Sequence, residues 1–360
     1  MPRIRIFGVP TQTGIGTHSQ SIFEIGKRYK FSKFEFEFFN CQSPVEVGLA
    51  IATSDNSDVN LYFLPESFAA NLKGIHIYYC VFESSRPSPG YENWLSRFDY
   101  IFSPSEWGKK CMVNYGLSSE RIFVIPEGVD PYAYHPYIND TSTIDPFRIF
   151  MLGKYESRKG YEAALEAFRL VCAQIPNIEL NIKADWATPS GGIIPEDFLD
   201  LTYKYKELPI VLMSGIVDQA TLINLYHRSD LFLFPSLCEG WGLPLIEAIA
   251  CGVPTLSCDF GGHSEFLKYI KNLYFEIPYE LISVNCRKWK EETYRHEDGD
   301  WGYWANIDPV VLANCIVDAV RSESRRSMGK QASAIVRTEF SWSRSVDKIL
   351  YQINLLTQAK

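Results

Sequence analysis

The stretch "CEGWGLPLIEAIACG" sets Glu239 and Glu247 eight positions apart, around Gly240, Trp241, Gly242, Leu243 and Pro244. An apolar run, "LFLF", ends at about Phe234, and Pro244 suits a first helical turn because its ring already holds a helical φ. Glu239 is therefore expected on a loop and Glu247 in the first turn of the following helix. Gly240 and Gly242 allow close backbone approach to a ligand, and amides at a helix start donate to anionic oxygens. Carboxylates accept hydrogen bonds and do not attract phosphate, so the pair suits the hydroxyls of a phosphorylated ligand, sugar hydroxyls above all. The plainer alternative for Glu247 is a charge that complements the helix dipole.

Phosphates require cations, and "LGKYESRKGYEAAL" offers them. Lys154 closes a strand, and Lys159 stands just before Gly160 at a strand-to-helix turn, a usual place for anion capture. Arg158 is a helper between them, and solvated surface lysines are the alternative. Nearer the start, "TGIGTHS" puts Gly14 and Gly16 before a helix, a second backbone-lined anion nest. A dinucleotide fingerprint would need glycine at position 19 and an acid at position 40, where this chain has Ser19 and Asn40. A nicotinamide dehydrogenase is a poor fit.

These residues must be carried by strands and helices. Short apolar runs, "RIRIFG", "FEFEFF", "VNLYFL", "IHIYYCVF", "DYIFS" and "RIFVIP", alternate with helical or loop segments, which reads as an α/β lobe with a mostly parallel sheet. The stretch 127–146 is rich in Pro, Asp, Asn and Thr and reads as a linker. A second α/β series follows, from "FRIFMLGK" through "IELNIKA", "IVLMSG" and "LFLFPS" to "VPTLSCD". The segment around Trp289, Trp301, Tyr303 and Trp304 reads as an ordered excursion without an assigned role. At the end, Val346, Ile349, Leu350, Ile353 and Leu356 form a helical stripe that needs a partner surface.

The chain has 360 residues, 46% of them hydrophobic and 22% charged, enough for two cores and a cleft between them. A net charge of -8 argues against nucleic acid as a partner. The opening "MPRIRIFGVP" lacks the apolar core of a secretion signal, and no long apolar run suggests a membrane span, so a cytoplasmic protein is expected. Nine cysteines without metal-site spacing read as reduced thiols, with Cys251 and Cys258 in a packing role.

Taken together, "IFSPSEWGKKCMVNYGL", "IFVIPEGVDPYAYHP", "LGKYESRKGYEAALEAF" and the long stretch from "SGIVDQATLINLYHRSD" to "GGHSEFL" resemble the retaining glycosyltransferases of family 4. The resemblance covers most of the chain. It implies the GT-B fold: two Rossmann-like lobes facing across a cleft, residues 1–145 on the acceptor side, 146–340 binding the donor, and 341–360 a helix crossing back to the first lobe. By the same resemblance Glu239 faces the donor sugar, Glu247 meets the nucleotide ribose, and Lys154 and Lys159 hold the diphosphate. Lysine at 154, where the family often has arginine, keeps the charge without the planar fork. Gly240, Trp241, Gly242 and Leu243 match the loop whose amides meet the donor, and Gly14 and Gly16 the first-lobe glycine loop.

The implied reaction moves a hexose, mannose from GDP-mannose or glucose from UDP-glucose, to a hydroxyl of a growing lipopolysaccharide, capsule or exopolysaccharide, with retention and with neither metal nor other cofactor. Many relatives carry a histidine near the acceptor where this chain has Glu83, which is the candidate for acceptor contact. His76 reads as a core residue, His18 beside the glycine loop is a weaker candidate, and His263 stands at a position that varies in the family. Lys27, Arg28, Lys30 and Lys33, beside Tyr29 and Phe31, suit peripheral contact with the inner face of a membrane or simply a solvated helix end. The rival readings are a nucleotide-sugar epimerase or phosphorylase on the same fold and a non-catalytic sugar-binding homologue.

Overall fold

The six apolar runs of the first lobe form six parallel strands: β1 Arg3–Gly8, β2 Glu35–Asn40, β3 Val59–Tyr62, β4 Ile75–Tyr79, β5 Tyr100–Ser103 and β6 Ile122–Val124, in the order β2-β1-β3-β4-β5-β6. The computed structural model describes residues 2–11, 13–29, 33–64, 67–68, 71–87, 90–137, 146–185, 196–284 and 300–358, without the side chains of 185 and 196–198. β3 and most of β1 are buried on both faces, and the polar side chains they carry there are paired: Asn60 donates to the Lys73 carbonyl at 2.8 Å and Arg5 meets Glu37 at 3.1 Å. Phe7 stacks on Phe39 at 5.4 Å and on Tyr62 at 4.9 Å, tying β1 to its neighbours.

The chain forms two units, one of residues 1–82, 86–128 and 340–360, the other of 83–85 and 129–339. The break at Gly128 lies inside the stretch read as a linker and upstream of residue 145. The reason is packing: Tyr134 meets Tyr226 edge-on, Arg337 donates to the Pro131 carbonyl at 2.7 Å, and the His227 ring bonds the His135 carbonyl at 2.7 Å. The terminal helix Trp342–Gln358 belongs to the first unit, where it packs on α1 (Gly14–Lys27). Its stripe of Val346, Ile349 and Ile353 is fully buried, and Tyr29 donates to Asp347 at 2.7 Å.

In the second unit β7 (Phe147–Lys154), β8 (Ile178–Asp185), β9 (Ile210–Met213), β10 (Leu231–Phe234), β11 (Thr255–Ser257) and β12 (Phe275–Glu276) form a parallel sheet ordered β12-β11-β10-β7-β8-β9. Counted from β7, this is the dinucleotide-fold order, which reverses between its first strand, β7, and its fourth, β10. Ligands of such sheets bind beyond the carboxyl ends of the strands at that reversal. A separate antiparallel pair, β13 (Glu280–Ser283) and β14 (Tyr303–Asn306), holds the described part of the tryptophan-rich segment; Trp289 lies outside the described residues. The fold is thus α/β with two Rossmann-like lobes and a helical C-terminal region, the architecture of the GT-B class. Among the described residues no helix is long and apolar enough to cross a membrane.

In the first lobe, His18 on α1 is buried edge-on to Phe63 and Tyr79, with Nδ1 3.4 Å from Glu127 Oε1. Burial pushes Glu127 from 4.5 up to about 8 and His18 from 6.5 down to about 3, so both are neutral near pH 7. For Glu127 the folded protein holds the proton more tightly than the unfolded chain. Its contribution to stability is complete below 4.5 and is lost as pH rises through about 8. Thermal melting of Glu127→Gln should therefore fall less than that of the wild type between about pH 6 and about pH 9. Parallel curves would show that Glu127 is ionised in the fold.

Candidate functional site

The carboxyl ends of β7 and β10 bring the cations and the first glutamate together. After β7 the chain makes a 3₁₀ turn, Ser157–Lys159, and passes through Gly160, whose φ is +71°, into α5 (Tyr161–Cys172). A Cβ at Gly160 would collide with the Pro235 carbonyl just beyond β10, so this turn and the loop carrying Glu239 touch through bare backbone. Leu237 N donates to the Arg158 carbonyl at 2.6 Å, and the stem of Lys159 lies against Gly153, next to Lys154.

In that setting Lys159 Nζ meets Glu239 Oε1 at 2.5 Å, and Arg158 Nη1 meets Glu239 Oε2 at 2.9 Å. The other guanidinium nitrogen, Nη2, pairs with Glu83 Oε1 at 2.7 Å and with Glu156 Oε2 at 2.6 Å. Glu239 is only 5% exposed. Burial alone would raise its pKa, but Lys159 and then Arg158 outweigh burial and hold it at about 2. Glu83 moves the opposite way. Burial raises it, Arg158 opposes, and the charges of Glu239 and Glu156 add to the rise. A third of the Glu83 side chain still reaches solvent, so it is the more accessible of the two carboxylates.

Arg158, assigned a helper's part from sequence, is thus the centre of the cluster. Its signal was the Arg-Lys-Gly triplet, but one face of a turn does not reveal which carboxylates the fold will bring to it. Glu83 follows β4 in sequence and groups with the second unit. Lys154 closes β7 as expected and is half-buried.

Around Glu239 the loop is held by backbone. Gly262 N donates to the Glu239 carbonyl at 2.7 Å, and a Cβ on Gly262 would collide with the Gly240 carbonyl. Gly261 and Gly262 were not singled out from sequence, although adjacent glycines before "HSEF" hint at a close approach. Gly242, with φ +91°, caps α8 (Leu243–Ala250). Glu247 therefore sits in the second turn of α8, one turn later than the sequence suggested, because the helix begins at Leu243 and the first turn holds no acid. That distance weakens the dipole explanation, whose effect fades beyond the first turn. Glu247 accepts from Tyr226 at 3.0 Å, and burial, opposed by the Tyr226 and Tyr134 hydroxyls, raises it to about 7. The Trp241 ring is buried edge-on against Phe266.

In the first lobe α1 begins at Gly14, so Gly14 and Gly16 form its first turn rather than precede it. Thr13 accepts from Gly16 N at 3.3 Å, and a Cβ on Gly16 would strike the Thr11 carbonyl. Ser19 faces Gly8 closely: the tight helix-to-strand packing comes from a strand glycine here. Asn40 serves as a turn residue, its Oδ1 accepting from Gln42 N at 3.1 Å. His76 bonds Tyr62 at 2.9 Å in the interior, and the His263 ring bonds the Cys258 carbonyl at 2.8 Å, both as packed residues. Of the basic patch, Lys27 and Lys33 lie over Phe23 and Phe34, and Lys30 and Phe31 fall outside the described residues.

Cys251 and Cys258 are buried, with their thiols pushed up by burial, and the eight described cysteines are all free. Among the described residues no group of three or more His, Cys, Asp or Glu is placed to hold a metal. The Asp298-x-Asp300 spacing, which the expectation of a metal-free site passed over, lies partly outside them; Asp300 accepts from Gly302 N at 2.8 Å.

The Gly160 turn yields a structural prediction. Gly160→Ala must bear about 1–2 kcal/mol for left-handed backbone, in addition to the clash with Pro235. Urea melting should show a loss of more than about 2 kcal/mol. A melting curve like that of the wild type would mean that the two loops can part without cost.

Residues 140–291 match the family model "Glycosyl transferases group 1". Over 198 residues the chain is 25% identical to mannosylfructose-phosphate synthase of Agrobacterium fabrum, covering 51% of this chain and 42% of that protein. Over 179 residues it is 31% identical to the serotype-specific mannosyltransferase WbdA of Escherichia coli, covering 46% and 22%. The matches thus span less than half the length of these relatives. In three dimensions, sucrose-phosphate synthase of Thermosynechococcus elongatus is similar with a TM-score of 0.70 at 16% identity, over 100% of both chains. Anabaena HepE in complex with UDP-glucose gives 0.69 at 16%, again over 100% of both. The chain has the GT-B fold and, through its second lobe, is related to the glycosyl transferases of group 1.

Proposed function

We propose that this protein is a retaining glycosyltransferase of family 4 that moves a hexose from a nucleoside diphosphate sugar to a hydroxyl of a growing cell-surface glycan. The observation that carries the reading is the Lys159–Glu239–Arg158 cluster, at the carboxyl ends of the two strands where the second sheet reverses. Arg158 and Lys159 fix the Glu239 carboxylate, which suits sugar hydroxyls, and Lys154 beside them at the end of β7 suits a diphosphate. Mannose and glucose are the favoured hexoses: one relative is named a mannosyltransferase, and one structure of the same fold is described with UDP-glucose. In this reading the protein works in the cytoplasm, where it meets a glycan or glycolipid acceptor at the inner face of the membrane.

The chemistry follows from the charges. Breaking the anomeric bond loads negative charge onto the leaving diphosphate while the sugar takes on oxocarbenium character. Lys159 and Lys154, with the amides of Gly240 to Leu243, stabilise that charge by standing in place beforehand. Glu239 orients the transferred sugar, Glu247 accepts from the ribose hydroxyls, and Glu83 meets the acceptor hydroxyl. Lysines and amides supply the stabilisation that a divalent ion provides elsewhere, so the reaction runs without one.

Thermal shift and hydrolysis with a panel of nucleotide sugars in EDTA test the reading, with a stabilised and turned-over GDP-mannose or UDP-glucose as the expected result. A panel in which nothing binds or reacts would refute it. Glu239→Ala should lower kcat by about a hundredfold, and Glu247→Ala should mainly raise the donor KM by about tenfold. Equal, near-native kinetics in both would overturn the division of labour.

Glu247 also sets a pH dependence. Its carboxyl rises to about 7, and the ionised form is the better acceptor for ribose hydroxyls. The dissociation constant for UDP or GDP should increase as pH falls through about 7, and Glu247→Gln should flatten that limb. Titration calorimetry at several pH values measures it, and an identical limb in the variant would assign it to another group.

A further inference from the structure

The strands β13 and β14 interrupt the donor lobe between its last sheet strand and the helix Pro309–Arg321, and they bond to the cation cluster's neighbours on two sides. On one side is the segment 83–85. Trp304, fully buried, donates its indole Nε1 to the Glu83 carbonyl at 2.7 Å. Ser84 Oγ donates to the Trp301 carbonyl, Tyr303 N donates to Ser85 Oγ at 2.7 Å, and Ser85 N donates to the Tyr303 carbonyl at 3.3 Å. On the other side is the loop that leads to Glu239, where Ala305 N donates to the Leu237 carbonyl at 2.8 Å. Adjacent residues of one strand thus hold the backbones behind Glu83 and Glu239. The two carboxylates lie on the two terminal nitrogens of one guanidinium, that of Arg158.

We propose that Trp304 is a positioning residue for the transfer: through the Glu83 carbonyl it fixes where the Glu83 carboxylate stands relative to Glu239, and so where the acceptor oxygen stands relative to the sugar. The inference rests on the transferase reading above. The indole is shut away from solvent and offers the reaction no group of its own. Its ring is fully buried, and its one N–H fixes the direction of the Glu83 carbonyl. A carboxylate that orients a nucleophile must be held to within a few tenths of an ångström, and this long, flexible side chain cannot do that without a fixed main chain behind it.

The test is a double-mutant cycle of Trp304→Phe and Glu83→Gln, read as hydrolysis of UDP-glucose or GDP-mannose with water as the acceptor. Trp304→Phe keeps an aromatic ring and removes the donor. It should lower kcat by about tenfold and leave the donor KM within about twofold. On the Glu83→Gln background the same change should cost less than about twofold, because the carboxylate it serves is already gone. An equal loss on both backgrounds would make Trp304 a support of the fold alone, and a wild-type kcat in Trp304→Phe would also overturn the proposal. If that variant fails to fold, Ser84→Ala, which removes the bond to the Trp301 carbonyl, takes its place in the cycle with the same two readings. Turnover of neither sugar by the wild type would remove the transferase reading and this inference with it. Wild-type turnover with an additive cycle would remove the Trp304 assignment and leave that reading standing.

Discussion

A buried guanidinium shared by three carboxylates is the constraint around which the second unit is arranged. Arg158 cannot lose its charge, and its planar fork presents nitrogens in fixed directions. Glu83, Glu156 and Glu239 must come to it, and Lys159 completes the pairing of Glu239. A buried charge is tolerable only when paired and hydrogen-bonded, so the positions of these five side chains are determined together. Burial raises Glu83 against the pull of Arg158, whereas at Glu239 Lys159 and Arg158 together outweigh burial.

The backbone around the cluster explains why it can be so tightly built. The turn after β7 and the loop after β10 meet at Gly160 and Pro235, and the Glu239–Gly240 backbone meets Gly262, each with no room for a Cβ. Such contacts bring main chains nearer than side chains would allow, and they leave the charged groups on a scaffold with little freedom. Glu247 is set differently, on a regular helix and against two tyrosine hydroxyls, in a site that raises its pKa where Glu239's is lowered. One fold thus gives its two glutamates different protonation behaviour, the usual sign of separate roles.

Much of this was legible in the chain. The runs named in the first lobe each form a strand there, because their β-branched and aromatic residues suit a pleated, buried surface. The glycine and lysine motifs fall at strand ends because those positions need permissive backbone or an anion-binding helix start. The start of α8 was legible to within a residue, but beginning at Leu243 rather than Pro244 is enough to carry Glu247 past the first turn. Local periodicity did not show that Arg158 faces inward. In a three-residue 3₁₀ turn the direction of a side chain depends on what packs above it, and here that is a loop eighty residues away.

The sequence by itself determined the strands, the glycine turns, the paired glutamates and the lysines, since each is a local matter of φ, hydrophobic period or charge. Only the tertiary structure decided that Glu83 groups with the second unit and joins Arg158, and that Trp304 donates to its carbonyl. The physical reason is that desolvation and pairing of charges depend on neighbours distant in the chain. No spacing between residues 83, 158, 239 and 304 announces that they will share one guanidinium and one strand.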